Sequence, residues 1–303
     1  MSSFDFSGLG VAMATPFDPT GKIDFNLLDS HVDYLIDNGV DYIVALGTTA
    51  ETPTLTSDEY TAVHTTVLKR VAGRVPVILG LGGNNTAAIV EKISSIGSCL
   101  NDFAAILSVT PYYNKPSQEG LYRHFAAIAK ASPVPVVLYN VPGRTGVNME
   151  AATTLRLATD FPGRIAAIKE ASGKLDQIAE IIAGAPEGFK VISGDDALAL
   201  PMIRLGASGV ISVLGNALPA TFGRLIHSAL NGDNAEADTL QDRLSALYPL
   251  LFRDGNPSGI KALLALNPSI GYPEVLRLPL VPVTTATRAA IAEELRKLNE
   301  ISH

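Results

Sequence analysis

The chain has 303 residues, 47% of them hydrophobic and 17% charged, with a net charge of −7. That composition can bury a sizeable core, and carboxylates spread along the chain argue against nucleic acid or an anionic membrane as partner. The single cysteine, Cys99, excludes an internal disulfide and points to a reducing compartment, where its plainest use is as a small buried hydrophobe.

The opening MSSFDFSGLG has neither a basic segment nor a long apolar run, so no signal peptide is expected. No stretch reaches the roughly 18 unbroken apolar residues of a membrane span. No low-complexity linker divides the chain. A soluble, cytoplasmic protein is expected.

In chain order, Gly10 to Ala14 reads as a strand closed by Thr15-Pro16, and Asn26 to Asn38 as a helix stopped by Gly39. Asp41 to Leu46 is the next apolar run, and Ser57 is expected to cap a helix through Ala72. Strand and helix then alternate: Pro76 to Leu81 and Thr86 to Ile96; Ala104 to Val109 and Ser117 to Lys130; Pro135 to Tyr139 and Glu150 to Leu157. The strand around Ile165 to Ile168 is followed by a helix at Leu175 to Ala183. Lys190 to Ser193 precedes a helix at Ala197 to Leu205, and Gly209 to Val213 precedes one at Pro219 to Leu230. This is a spacing of roughly 30 residues, the length of one βα repeat. Near-continuous apolar strands alternating with helices predict a parallel (β/α)8 barrel over residues 1–230, an α/β fold of the TIM-barrel type. A doubly wound sheet is the alternative. Its Gly-rich dinucleotide turn is not matched by Gly80-Leu81-Gly82-Gly83-Asn84-Asn85, where Asn85 stands in place of the third glycine. Asn234 to Phe252, Ser258 to Leu266 and Thr287 to Leu298 predict a C-terminal helical region over residues 231–303, packed on the barrel.

One stretch carries an unusual charge. In RIAAIKEASG, Arg164 to Gly173, an apolar run ends in Lys169. A lysine closing a strand buried on both faces either reaches water and pairs with Glu170, or sits desolvated with a lowered pKa. A neutral amine in a pocket is what Schiff-base chemistry on a carbonyl needs.

Catalytic groups of a parallel barrel gather beyond the C-terminal ends of its strands. Those positions hold Gly47-Thr48-Thr49-Ala50-Glu51, Thr110-Pro111-Tyr112-Tyr113-Asn114, Tyr139-Asn140-Val141-Pro142-Gly143-Arg144-Thr145, Lys169-Glu170, Gly194-Asp195-Asp196 and Gly215-Asn216. Lys169 is the expected nucleophile and Tyr139 the proton shuttle, with Thr48 and Tyr113 available as relay partners. Thr49 and the backbone of its turn suit a substrate carboxylate, and Arg144 can hold a second one bidentately. Each also has a structural reading: tyrosines at strand ends often only pack, and Thr-Thr is common turn material. No His/Cys cluster with metal spacing is present. His31, His64, His124 and His227 read as surface or packing residues, and Asp195-Asp196 suits a helix start better than a metal.

The motifs GTTAETPTLT, VTPYYNKPSQEG, YNVPGRTGVN, AIKEASG, ISGDD and GVISVLGN, with LRLPLVPV near the end, resemble the 4-hydroxy-tetrahydrodipicolinate (dihydrodipicolinate) synthase family, pyruvate-dependent class I aldolases of lysine biosynthesis. The resemblance implies condensation of pyruvate with L-aspartate 4-semialdehyde, with no redox cofactor and no catalytic metal. It implies an imine at Lys169, proton transfer by Tyr139, a relay through Thr48 and Tyr113, and pyruvate binding by Thr49 and the backbone at Ile211. Gly194 is a further substrate-binding candidate, and Arg144 would orient the semialdehyde carboxylate. It also implies a homo-oligomer, a tetramer of tight dimers, in which Tyr113 reaches a neighbouring site.

Two departures stand out. The family's usual GTTGE reads GTTAE here, so a left-handed conformation at Ala50 would cost about 1 kcal/mol unless the turn adjusts, which is the expectation. The positions tied to lysine inhibition read Ser57, Tyr60 and Ile89, and Ile89 cannot pair with an ammonium, so weak or no inhibition is expected. The alternatives are a sister aldolase acting on N-acetylneuraminate or 2-keto-3-deoxy sugar acids, and a barrel that binds pyruvate without turnover. Arg144 argues against a polyol substrate, and the Lys169, Tyr139 and Thr48 set argues against a mere sensor.

Overall fold

A computed structural model describes residues 4–300. Its eight strands close into a barrel in chain order. They are β1 (Gly8–Ala12), β2 (Tyr42–Ala45), β3 (Val77–Gly80), β4 (Ala105–Val109), β5 (Val136–Asn140), β6 (Ile165–Glu170), β7 (Lys190–Ser193) and β8 (Gly209–Ser212). The pairings β3–β4 through β7–β8, and β1–β2, are parallel. β1, β2, β5, β6 and β8 are buried along their whole length, as strands covered on both faces must be.

The barrel helices are α1 (Phe25–Asp37), α2 (Ser57–Val71), α3 (Thr86–Ile96), α4 (Gln118–Ala131), α5 (Pro142–Thr145), α6 (Ala151–Asp160), α7 (Leu175–Gly184), α8 (Ala199–Leu205) and α9 (Pro219–Leu230). Short polar side chains start several of them. Asp24 accepts from Leu27 N, Asn85 from Ala87 and Ala88 N, and Ser117 from Gly120 N. Asn85, which broke the dinucleotide pattern, is thus a helix cap. The cap of α2 is Thr56 rather than Ser57, because Thr56 and Glu59 form a reciprocal capping box. α8 begins at Ala199, two residues later than expected. Asp195 accepts from Ala197 N and spends its carboxylate on the preceding turn instead of the helix.

The C-terminal helices are α10 (Asn234–Leu244), α11 (Leu247–Arg253), α12 (Ser258–Leu266) and α13 (Thr285–Glu300). The helix expected over Asn234 to Phe252 is broken at Ser245-Ala246. Pro249 has no N–H to donate to the Ser245 carbonyl.

The chain divides into two compact units. One comprises the residues up to Gly8 together with Pro76–Ile211, and the other Leu9–Val75 with Ser212 onward. In the second, buried Asn216 donates to the Ala12 and Val213 carbonyls and accepts from Ala14 N. Its carbonyl meets His31 Nε2 at 3.2 Å. Every polar atom of this asparagine side chain is used, which is the condition for burying it.

Candidate active site

In the first unit, β5 and β6 pair with Tyr139 opposite Lys169 and Asn140 opposite Glu170. Side chains alternate along a strand, so Lys169 and Glu170 face opposite sides. Lys169 is 5% exposed and Tyr139 7%. The lysine Nζ lies 4.5 Å from the centroid of the Tyr139 ring. Among the described residues nothing hydrogen-bonds or ion-pairs with this amine. Glu170 is not its partner: that carboxylate accepts from Asn140 Nδ2, Ser172 N and Gln177 Nε2. The surface ion pair weighed for the lysine is therefore absent.

Gly194 makes room for that lysine. A Cβ at 194 would stand 2.7 Å from Ala171 Cβ and 3.1 Å from Cε and Cγ of Lys169. The glycine N–H also donates to the Glu170 carbonyl at 2.8 Å. A side chain at 194 would thus crowd Ala171 and the stem of Lys169. Ile211, also in this unit, is fully buried in β8.

Arg144 is exposed on α5. A four-residue helix has no periodicity to read, which is why this one was expected only as loop. The next residue, Thr145, ties two loops together. Its hydroxyl accepts from Thr110 Oγ1 at 3.3 Å and its carbonyl from Tyr113 N at 3.3 Å. Tyr113 is 89% exposed and adopts φ 74°, an unusual left-handed conformation for a bulky residue. Tyr112 beside it is 44% exposed. An open groove of about 750 Å³ lies over the starts of α6 and α7, lined by Glu150, Lys174, Gln177 and neighbours, and includes neither Lys169 nor Tyr139.

In the second unit, Thr48 and Thr49 sit in a 3₁₀ turn at Thr48–Ala50. The left-handed residues here are Leu46 (φ 58°) and Glu51 (φ 55°), not Ala50. Alanine therefore adds no strain to the turn. Thr49 is buried and its hydroxyl accepts from Asn256 Nδ2 at 3.2 Å. That leaves the hydroxyl proton to donate elsewhere. Glu51 accepts from Lys261 Nζ at 2.5 Å and from Arg277 N at 3.0 Å, so the turn is bolted to α12 and to the segment beyond it.

Glu51, Asn256 and Lys261 were missed as contributors. Glu51 stood inside a quoted motif. Lys261, alone in SGIKALLAL, carried the same signal as Lys169: one charge in an apolar run.

His31, His64 and His124 are buried among the helices that carry them. Burial pulls His31 and His124 down to about 4, so both are neutral imidazoles at neutral pH. Among the described residues no group of three or more His, Cys, Asp or Glu could hold a metal. Cys99 is exposed rather than buried, since it falls in a surface 3₁₀ turn. Among the described residues no helix is long and apolar enough to cross a membrane.

A buried lysine and a tyrosine on adjacent strand ends of a parallel barrel are the equipment of a Schiff-base aldolase. The chain belongs to the dihydrodipicolinate synthetase family, whose sequence model matches residues 5–298. The 4-hydroxy-tetrahydrodipicolinate synthase of Parabacteroides distasonis is 51% identical over 300 residues, 99% of each chain. That of Bacillus subtilis is 44% identical over 97% of this chain and 100% of its own. The crystal structure of dihydrodipicolinate synthase from Aquifex aeolicus superimposes with a TM-score of 0.90 at 39% identity, covering 97% of this chain and 98% of the other.

Proposed function

We propose that this chain is a 4-hydroxy-tetrahydrodipicolinate synthase, condensing pyruvate with L-aspartate 4-semialdehyde in the diaminopimelate route to lysine. The observation that carries the reading is the buried Lys169 amine, 4.5 Å from the Tyr139 ring in a chain of this family.

The chemistry follows from the groups. Lys169 attacks C2 of pyruvate, and loss of water leaves the imine. A proton leaves the methyl carbon to give the enamine, which adds to the aldehyde carbon of the second substrate. The amine of that substrate then attacks C2, closes the ring and releases Lys169. One water is released overall. The protonated imine is itself the electron sink, so the scheme calls for no redox cofactor or metal. Tyr139 passes protons to the departing hydroxyl and from the methyl group, a role supported by its ring lying beside the amine. Thr48 and Tyr113 extend that relay. Thr49, Ile211 and Gly194 belong to pyruvate binding, the last by seating the lysine stem. Arg144 takes the semialdehyde carboxylate.

The exposure of Tyr113 suits a residue that completes a neighbouring subunit's site, and with it a tetramer of tight dimers. A cytoplasmic location suits a biosynthetic enzyme. Ile89 offers no charge to an ammonium, so millimolar lysine is expected to leave most activity intact.

A coupled assay with both substrates, run beside Lys169→Ala and Arg144→Ala, tests the assignment. Lys169→Ala should lose borohydride trapping of pyruvate. Arg144→Ala should trap pyruvate and lose condensation. Normal condensation by Arg144→Ala would overturn the choice of second substrate and favour a sister aldolase.

A further inference from the structure

We infer that Glu170 is a positioning residue for the reaction: its buried carboxylate clamps β5 to β6 one residue beyond Tyr139 and Lys169, and anchors the far end of the loop that carries Arg144. This rests on the roles proposed above for those three residues.

Four observations converge. First, the register pairs Tyr139 with Lys169 on one face of the strands and Asn140 with Glu170 on the other. Second, Asn140 Nδ2 reaches both carboxylate oxygens, each at 3.1 Å, so the two strand ends are joined side chain to side chain. The Asn140 amide cannot turn over, because its Oδ1 accepts from Met149 N at 3.0 Å. Third, Ser172 N donates to Oε1 at 2.8 Å and Gln177 Nε2 to Oε2 at 3.2 Å, which holds the carboxylate against the turn after β6 and against α7. Fourth, the same amides grip Asn148-Met149. Gln177 donates to the Met149 carbonyl and accepts from Asn148 Nδ2, and Asn140 donates to Asn148 Oδ1. The loop leaving β5 through Arg144 therefore returns to the carboxylate beside which it began.

The chemistry of the site calls for a carboxylate. Both oxygens only accept, and every group facing them is a donor. A glutamine would turn its own NH2 toward Asn140 or Gln177. The arrangement is not the cheapest way to fill this space, since a buried carboxylate without a cation is costly and an apolar residue would serve packing as well. Burial does push Glu170 up from the ordinary carboxylate value, against its hydrogen bonds. What the carboxylate supplies is a fixed separation between two strand ends whose inner residues must meet one carbonyl. A displacement of 1 Å in such a pair is worth up to about a hundredfold in rate.

The full-length enzyme tests this with Glu170→Gln and Glu170→Ala, and Ile181→Val on α7 as a core control. Three readouts are needed: the thermal midpoint, the rate and extent of borohydride trapping at Lys169, and kcat and KM for each substrate. Glu170→Gln should fold and trap pyruvate fully but more slowly, with kcat down about tenfold, and Glu170→Ala about a hundredfold. KM for the semialdehyde should rise as the Arg144 loop loses its anchor. Ile181→Val should lose midpoint and keep kcat. Wild-type trapping rate and kcat in Glu170→Gln would overturn the clamp, as would an equal kcat loss in Ile181→Val. If Glu170→Ala does not fold, Glu170→Gln and Gln177→Leu decide, and wild-type kcat in both overturns it. Trapping that survives Lys169→Ala would instead overturn the site reading itself, so the two failures are distinguishable.

Discussion

Glu170 and Glu51 are 0% and 1% exposed, the first ending β6 and the second closing the 3₁₀ turn after β2, yet they are buried in opposite ways. Glu170 is surrounded by neutral donors: two amides and one backbone N–H. Glu51 meets a cation, the amine of Lys261, which is itself 0% exposed. That amine also donates to the Val275 carbonyl at 2.9 Å and lies 4.2 Å from the Phe17 ring centroid. Burial lowers Lys261 to about 8, with the Glu51 carboxylate opposing the fall. A charge held by neutral dipoles keeps its desolvation penalty and gains direction, because each donor fixes an angle. A charge held by a countercharge offsets most of the penalty and makes each partner hostage to the other. The first arrangement suits aiming a side chain, the second bolting a turn in place.

The largest effect expected from this contrast is in the second unit. Lys261→Met should strand the Glu51 charge and cost about 3–5 kcal/mol in denaturant unfolding. Adding Glu51→Gln should recover a large part of that loss, because the stranded charge goes with it. A double variant no more stable than the single one would mean that the pair is not the unit that matters.

Crowding, not charge, sets the next prediction, in the first unit. Gly194→Ala should cost about 1–3 kcal/mol, the usual range for overpacking. Its methyl group meets the Lys169 stem, so the rate of pyruvate trapping should fall as well. Unchanged trapping would show that the stem moves aside freely.

A smaller effect is read from the pH dependence of Glu170. Glu170 has a folded pKa raised by burial, so its contribution to stability is present below 4.5 and is lost as pH rises through the folded value. Glu170→Gln removes that slope. Its stability at neutral pH should fall within about 1–2 kcal/mol of wild type, because relief of the buried charge offsets part of the lost hydrogen bonding. Unfolding curves at pH 5 and pH 7.5 check the sign: the variant should compare more favourably with wild type at the higher pH.

The same contrast separates what sequence could reveal from what it could not. The apolar run before Lys169 singled out the strand of the buried lysine, because a charge at the end of such a run has few harmless explanations. The repeated strand–helix units exposed the barrel. The partners of both glutamates were invisible: Asn140 is 30 positions from Glu170, and Lys261 is 210 from Glu51. Pattern reads faces and periods, not which donor on a distant segment meets which oxygen. Local chemistry was missed where short rules compete. Thr56 outranked Ser57 because Glu59 could reach back to it, and Pro249 interrupted a helical pattern whose apolar spacing ran straight through it.

The smallest prediction concerns an ion pair that is neither buried nor structural to a turn. His227 Nε2 lies 2.7 Å from Asp41 Oδ2, an oxygen that also accepts from Leu9 N at 2.6 Å. The bond to Asp41 raises the histidine above its usual 6.5, against partial burial. Its stabilisation is therefore complete below pH 6.5 and fades as pH rises through the folded value. The side chains are 43% and 38% exposed, so solvent screening holds the effect below about 1 kcal/mol. His227→Gln should be less stable than wild type at pH 6, equal to it at pH 8.5, and closer to it at pH 6 in 1 M salt. Lys261→Met should show little of that salt dependence, because a pair sealed from solvent is poorly screened. A His227→Gln deficit that persists unchanged at pH 8.5 would assign the contact to packing and leave charge out of it.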